Sequence, residues 1–191
     1  MFHAARLSWA IAHSRRSRYC AVDRNPRLAP SRHLRLVPTW LRQVFVAPLR
    51  LKRHPALEQL SRDHHHALVV AQRLKRADNL TAGEARDDFV AYWGSHGREH
   101  FREEEEILLP ACAGFVDAEL PIIAKVLTDH VRIRHLANAA VGADSLSVAM
   151  LHELGGELER HVRREERELF PLIEQSMPDA ELRRLVALLA R

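Results

Sequence analysis

The sequence contains few glycines and cysteines and has no long apolar run. Among its 191 residues are 7 glycines and 2 cysteines, Cys20 and Cys112, which form no CxxC pair. Such sparse cysteine argues against a disulfide framework and favours a reducing compartment, so we expect a cytoplasmic protein. Without an apolar run of about 18 residues, no membrane-spanning helix is expected. The sequence also has no Gly-rich phosphate loop and no Ser/His/Asp or Cys/His catalytic pattern, so nothing in it favours the common hydrolase or nucleotide-binding classes.

Basic residues are concentrated at the start of the chain. Residues 1–55 carry 12 of the 29 lysines and arginines but only one of the 25 acidic residues, whereas the remainder is net acidic. The overall charge of +4 therefore does not indicate a nucleic-acid-binding domain. Residues 1–50 also contain four helix-breaking prolines. We interpret them as a basic N-terminal extension, which is a mis-assigned start, a disordered arm or a targeting leader; an anchor for acidic lipid or nucleic acid is an alternative.

Helix-forming residues dominate the rest of the chain. Leu, Ala, Glu and Arg are abundant after residue 50, and 47% of the sequence is hydrophobic, which is enough for a buried core. Apolar residues recur at intervals of three and four, as in amphipathic helices, and short turns separate the periodic segments. The pattern predicts an all-α fold over residues 51–191: an up-down-up-down four-helix bundle with a short C-terminal helix.

Turn and cap signals set the predicted boundaries of these helices. The first begins at Pro55, and the second begins at a capping box, Thr81–Glu84. The second is predicted to stop at Pro110, and the fourth to follow an N-cap at Asp144 and to end or kink at Pro171. The predicted helices cover about residues 55–77, 81–109, 117–142 and 144–170, and a fifth follows Pro178.

The body of the chain repeats itself. Residues 100–110 and 161–171 both read H-x-x-x-E-E and both end in two bulky apolar residues and a proline. Residues 60–64 and 126–130 both end in Asp-His, three positions after an apolar residue. Each half of the body thus supplies one Asp-His segment and one H-x-x-x-E-E segment. The repeat indicates two helix pairs related by an approximate two-fold.

Polar side chains interrupt the apolar stripe of each of the four main helices. Every stripe has a histidine where a leucine is expected, and two stripes add a glutamate one turn later: His64, His100, Glu104, His130, His161 and Glu165. Residues four apart lie on one face of a helix, about 6 Å apart along its axis, so each His and Glu on one helix points the same way. Burying six such groups without partners would cost several kcal/mol each, against a net stability of about 5–15 kcal/mol.

A metal centre would remove this penalty, because each ligand atom would gain a cationic partner. Four imidazoles and two carboxylates can hold two five- or six-coordinate ions. Nitrogen and oxygen ligands without thiolate favour iron, with manganese or zinc as alternatives. A single core histidine is more often only hydrogen-bonded, but four at matched positions favour a metal site.

The positions of several other histidines and glutamates are less determined by the sequence. His65 and His66 are expected to face away from the core, whereas His96 fits either the surface or the site. Glu105 and Glu166 each follow a predicted ligand, and they are either partners of the ligands or surface groups.

The paired H-x-x-x-E-E segments, each preceded by an Asp-His segment, resemble those of the hemerythrin-like (HHE cation-binding) family over about residues 55–175. The resemblance implies a non-haem centre of two irons, bridged by carboxylates and an oxo or hydroxo group. It makes His64, His100, His130 and His161 terminal ligands and makes Glu104 and Glu165 the bridging carboxylates.

The chain departs from the oxygen-carrier members of that family at two places. Those members have two histidines one turn apart on the third helix, whereas here Arg134 follows His130 at that spacing. They also have an aspartate five residues after the fourth-helix histidine, whereas here Glu165 is four after His161. The resemblance therefore points to the bacterial and regulatory members, which are linked to oxygen, nitric oxide, iron or redox sensing.

Two functions follow as expectations. A metal-binding protein would bind or sense dioxygen, nitric oxide, iron or redox state at an open coordination position. A di-iron enzyme would instead oxidise ferrous iron, reduce nitric oxide or remove peroxide. We favour the first, with a diatomic ligand and with neither nucleic acid nor membrane as a partner. No residue is assigned a catalytic role.

Overall fold

The computed structural model describes residues 52–190, and five helices account for most of them. The helices are α1 (Pro55–Arg76), α2 (82–112), α3 (Pro121–Gly142), α4 (148–176) and α5 (Asp179–Leu189). No strand occurs within the described range. The predicted all-α class is confirmed. The predicted basic extension, residues 1–50, lies outside the described residues.

Prolines occupy the first turn of two helices, and two predicted side-chain caps do not form. Proline occupies the first turn of α1, as predicted, and also that of α3. The predicted capping box at Thr81 does not form, because its hydroxyl accepts a hydrogen bond from the Asp78 backbone instead, at 2.9 Å. The predicted cap at Asp144 is also wrong. Ser147 caps α4, and its hydroxyl accepts a hydrogen bond from the backbone of Met150 at 3.3 Å.

The prediction that Pro110 stops its helix is wrong, and Pro171 does not end its helix either. The second helix continues to Cys112 and the fourth to Ser176. In both cases a π-helical turn, Glu104–Leu108 or Glu165–Leu169, lies directly before the proline segment. A proline has no N–H to donate, and the altered bonding of a π turn accommodates this within a continuous helix.

Two apolar clusters form the core, and the six predicted ligands lie between them on the four long helices. On α1, for example, one cluster includes Leu57 and Leu60 and the other begins at Ala67. Helix α5 adds Leu182, Leu185 and Leu189 to the first of these clusters. The polar groups are therefore enclosed by apolar layers at both ends.

Helices α1 and α4 approach each other closely at a glycine. A Cβ at Gly155 would lie 2.7 Å from the carbonyl oxygen of Ala71. Through this contact α4 is held close to α1, the helix that carries the first predicted ligand. None of the helices in residues 52–190 combines the length and apolar character needed to cross a bilayer.

Candidate metal centre

All six residues that the sequence singled out come together in the interior. Each is at most 4% exposed. Their donor atoms form two groups, and within each group the atoms lie within 4.8 Å of one another. One group consists of His64, His100, Glu104 and Glu165, and the other of Glu104, His130, His161 and Glu165. The two glutamates belong to both groups, so either carboxylate can serve two ions.

The imidazole Nε2 atoms point at the carboxylate oxygens. On one side, His100 Nε2 lies 3.3 Å from Glu104 Oε1, and His64 Nε2 lies 3.1 Å from Glu165 Oε2. On the other, His130 Nε2 lies 3.3 Å from the second oxygen of Glu104. His161 Nε2 lies 3.2 Å from Glu165 Oε2. The two oxygens of Glu104 thus face opposite groups, which is the arrangement of a bridging carboxylate.

These donor atoms have no hydrogen-bond partner. In the described part of the chain, eleven buried side-chain nitrogen and oxygen atoms lack one, and ten of them belong to the six candidate ligands. Buried polar atoms in native proteins are nearly always paired, so such a concentration requires an explanation. Imidazole nitrogens and carboxylate oxygens that converge without hydrogen bonds are the arrangement expected of a metal site. The donor set of imidazole and carboxylate can therefore hold metal ions.

Helix geometry explains how both glutamates reach the centre. Glu104 and Glu165 each begin a π-helical turn, and such turns are frequent at functional sites. Each glutamate lies one turn after its histidine and one turn before a buried leucine, Leu108 or Leu169. The ligand and the apolar anchor below it therefore share one face of the helix.

Glu166 holds the first-helix histidine from outside the cluster. The Nδ1 atom of His64 donates to Glu166 Oε1 at 2.7 Å. The same oxygen accepts a hydrogen bond from the Ser61 hydroxyl at 2.7 Å, and Arg53 donates to the other at 2.5 Å. Because Nδ1 carries the proton, Nε2 of His64 presents a lone pair to the centre. The ring of Phe170 stacks on this imidazole.

Glu105 binds the Nδ1 atom of His130 as Glu166 binds that of His64. His130 Nδ1 donates to Glu105 Oε1 at 2.8 Å, and Arg134 donates to Glu105 Oε2 at 3.0 Å. Phe101 stacks on His130, with ring centroids 4.0 Å apart. The sequence left the role of Glu105 and Glu166 open, and the structure makes both of them partners of predicted ligands.

Replacement of Glu105 by alanine is expected to weaken metal binding by about 10–100-fold, because His130 loses the acceptor that fixes its ring and tautomer. Glu106→Ala is the matched control, since Glu106 is exposed. Competition against a chromophoric chelator measures both affinities. Equal affinities for the two variants would contradict a positioning role for Glu105.

The two halves are not equivalent at the remaining histidines. His100 Nδ1 lies 3.7 Å from Asp63 Oδ2. Among the described residues, neither this nitrogen nor Nδ1 of His161 has a hydrogen-bond partner. Asp129, the repeat counterpart of Asp63, is bound by Arg164 instead. The two-fold seen in the sequence is therefore broken beside His161.

The pKa values of the buried histidines depend on burial and on the neighbouring glutamates. Although burial alone would disfavour the charged imidazole, the Glu104 carboxylate raises the pKa of His100 to about 10. For His130 the two glutamates likewise outweigh burial and raise the pKa to about 9. Burial lowers the pKa of His161 to about 4. Without a metal, the protonated forms of His100 and His130 are therefore favoured at neutral pH, and a cation would have to displace those protons.

Three other histidines lie outside the buried cluster. His65, His66 and His96 are all exposed, so the prediction for the first two is confirmed and His96 does not reach the centre. Sequence reasoning missed Asp63 and Arg53, which contact the cluster or its partners. The repeated Asp-His pair was a visible signal for the former. Nothing in the sequence signals Arg53, because its contact with Glu166 joins residues far apart in the chain.

The chain was compared with protein-family models, with curated proteins and with solved structures, and none of them matches it.

Proposed function

We propose that the four histidines and two glutamates bind two non-haem irons, and that the protein is a hemerythrin-like, up-down-up-down four-helix bundle. Its function would be to bind or sense dioxygen, nitric oxide, iron or redox state. The observation that supports this most directly is the set of ten buried donor atoms without partners. Eight of these atoms, the four Nε2 atoms and the four glutamate oxygens, face the two groups; cations there would satisfy all eight, whereas a polar core without ions would leave them unpaired.

The chain's own residues define what each ion would meet. His64 and His100 would hold one ion, His130 and His161 the other, and the two glutamates would contact both. Each ion would then have two imidazoles and up to two carboxylate oxygens, which leaves coordination positions for a small molecule. An iron pair bound in this way supplies reversible redox chemistry and an open position for a diatomic ligand.

The surroundings determine what can enter. Phe101 and Phe170 stack on two of the histidines, and the apolar clusters enclose the centre along the helices. A small uncharged molecule crosses such a layer more readily than an ion or a large substrate, because it loses little hydration. This favours dioxygen or nitric oxide as the ligand. The alternative of a di-iron enzyme stays a prediction.

Anaerobic reconstitution with ferrous iron tests the proposal. We expect about one iron for each of the two groups in a chain, and near-ultraviolet charge-transfer bands of ferric iron when air is admitted. Nitric oxide and peroxide titrations then separate the two functions, since a binding protein saturates and an enzyme consumes many equivalents. Failure to retain iron, with the fold intact, would contradict the iron centre.

A further inference from the structure

Two exposed histidines face each other across α1 and α2, outside the buried cluster. The ring centroids of His66 and His96 are 5.5 Å apart, with an interplanar angle of 70°. His66 also packs edge-on against Tyr92, with centroids 5.2 Å apart, which restricts its orientation. Two imidazoles at this separation can both contact one ion.

A serine fixes the tautomer of one of the two rings. The Ser95 hydroxyl donates to the carbonyl oxygen of Ala91 at 2.7 Å. Its proton is therefore used, and it accepts from His96 Nδ1, which lies 2.7 Å away. Neutral His96 then carries its proton on Nδ1 and has a lone pair on Nε2. This is the tautomer that a metal-binding imidazole needs, with its second nitrogen held by an acceptor.

Ligand-type residues continue from this pair toward the interior. Asp63 precedes His66 by three residues on α1, and His100 follows His96 by four on α2, so each pair shares a helix face. The Asp63 side chain is 21% exposed and lies 3.7 Å from His100, which is 3% exposed. Exposure thus falls from the surface histidines through Asp63 to the buried cluster.

We propose that His66 and His96 form a surface site for one divalent transition-metal ion, and that Asp63 passes the ion on to His100. The surface site does not depend on the buried centre, whereas the transfer step rests on the proposed metal centre. Imidazole suits zinc, cobalt, nickel and ferrous iron. With two protein ligands the site binds weakly and releases readily, as a capture site for the centre must.

Cobalt loading of the metal-free protein tests the transfer step. The growth of the visible Co²⁺ bands gives the loading rate, and the final absorbance gives the amount bound. In the double variant His66→Ala/His96→Ala we expect loading to slow by about tenfold. A surface site raises the local concentration of the ion, and such an increase speeds association by at least about that factor. The final cobalt content is expected to stay unchanged. His65→Ala, an exposed neighbour on α1, is the control and is expected to load at the wild-type rate.

Zinc binding to the same proteins tests the surface site separately. The double variant is expected to bind one weak Zn²⁺ equivalent fewer than the His65→Ala control, whether or not the buried centre is filled. Equal zinc binding in the two variants would overturn the surface site. A zinc difference with unchanged cobalt loading would overturn the transfer step. Absence of buried cobalt in every variant would instead count against the proposed metal centre, so the two failures are distinguishable.

Discussion

Loading the protein with ferrous iron under anaerobic conditions is expected to raise the midpoint of thermal unfolding by on the order of 10 °C. An ion that binds only the folded chain stabilises it by about 4 kcal/mol when its free concentration is about 1,000 times the Kd. For a chain of this size, 1 kcal/mol corresponds to about 2–4 °C. The structural reason is the set of eight unpartnered Nε2 and carboxylate oxygen atoms at the centre, which the ions would satisfy in the folded state.

The metal-free protein is expected to remain folded, because two apolar clusters pack on either side of the polar groups and protonated His100 and His130 offset the charge of the glutamates when no ion is bound. Circular dichroism checks the helix content, and scanning calorimetry with and without iron gives the two midpoints. Addition of a chelator is expected to reverse the shift. Identical midpoints at saturating iron would show that the unpartnered atoms are tolerated for a reason other than metal.

Replacement of a shared glutamate and replacement of a single-group histidine are expected to differ in their effect on metal content. Glu165→Gln removes a charge from both groups, whereas His161→Ala removes a ligand from one. We therefore expect Glu165→Gln to lose nearly all bound iron and His161→Ala to keep about one iron per chain, since the other group is intact. Glu104→Gln is expected to behave like Glu165→Gln, because Glu104 is also shared.

Iron analysis after gel filtration measures these contents. Glu168→Gln is the matched control for Glu165→Gln, since it lies three residues along the same helix with an exposed side chain, and it is expected to retain the wild-type iron content. Helix content by circular dichroism confirms that each variant is folded. If the glutamate and the histidine variants lose the same amount of iron, the carboxylates do not bridge two ions.

The six candidate ligands could be predicted because their signal is local. A histidine on an apolar stripe and a glutamate four residues later need only helix periodicity to be recognised, and the repeat supplies each pattern twice. The structure brings all six together. The helix segments were predictable for the same reason.

What could not be predicted depends on contacts between distant parts of the chain or on competition between neighbours. The contact of Arg53 with Glu166 spans 113 residues, and no periodicity encodes it. Thr81 fails as a side-chain cap because Asp78 engages its hydroxyl. The helices pass through Pro110 and Pro171 because π turns precede the prolines, and a single inserted residue in a turn leaves no trace in the sequence.

The shared glutamates have a consequence for how such a chain can arise. The α1–α2 pair carries two of the histidines and Glu104, and the α3–α4 pair carries the other two and Glu165. Either pair alone lacks one carboxylate of its donor group, but two copies of one pair, related by a two-fold, would hold the complete set. A single helical hairpin that dimerises around metal is therefore a sufficient ancestor, and duplication followed by fusion would leave the repeat that the sequence retains.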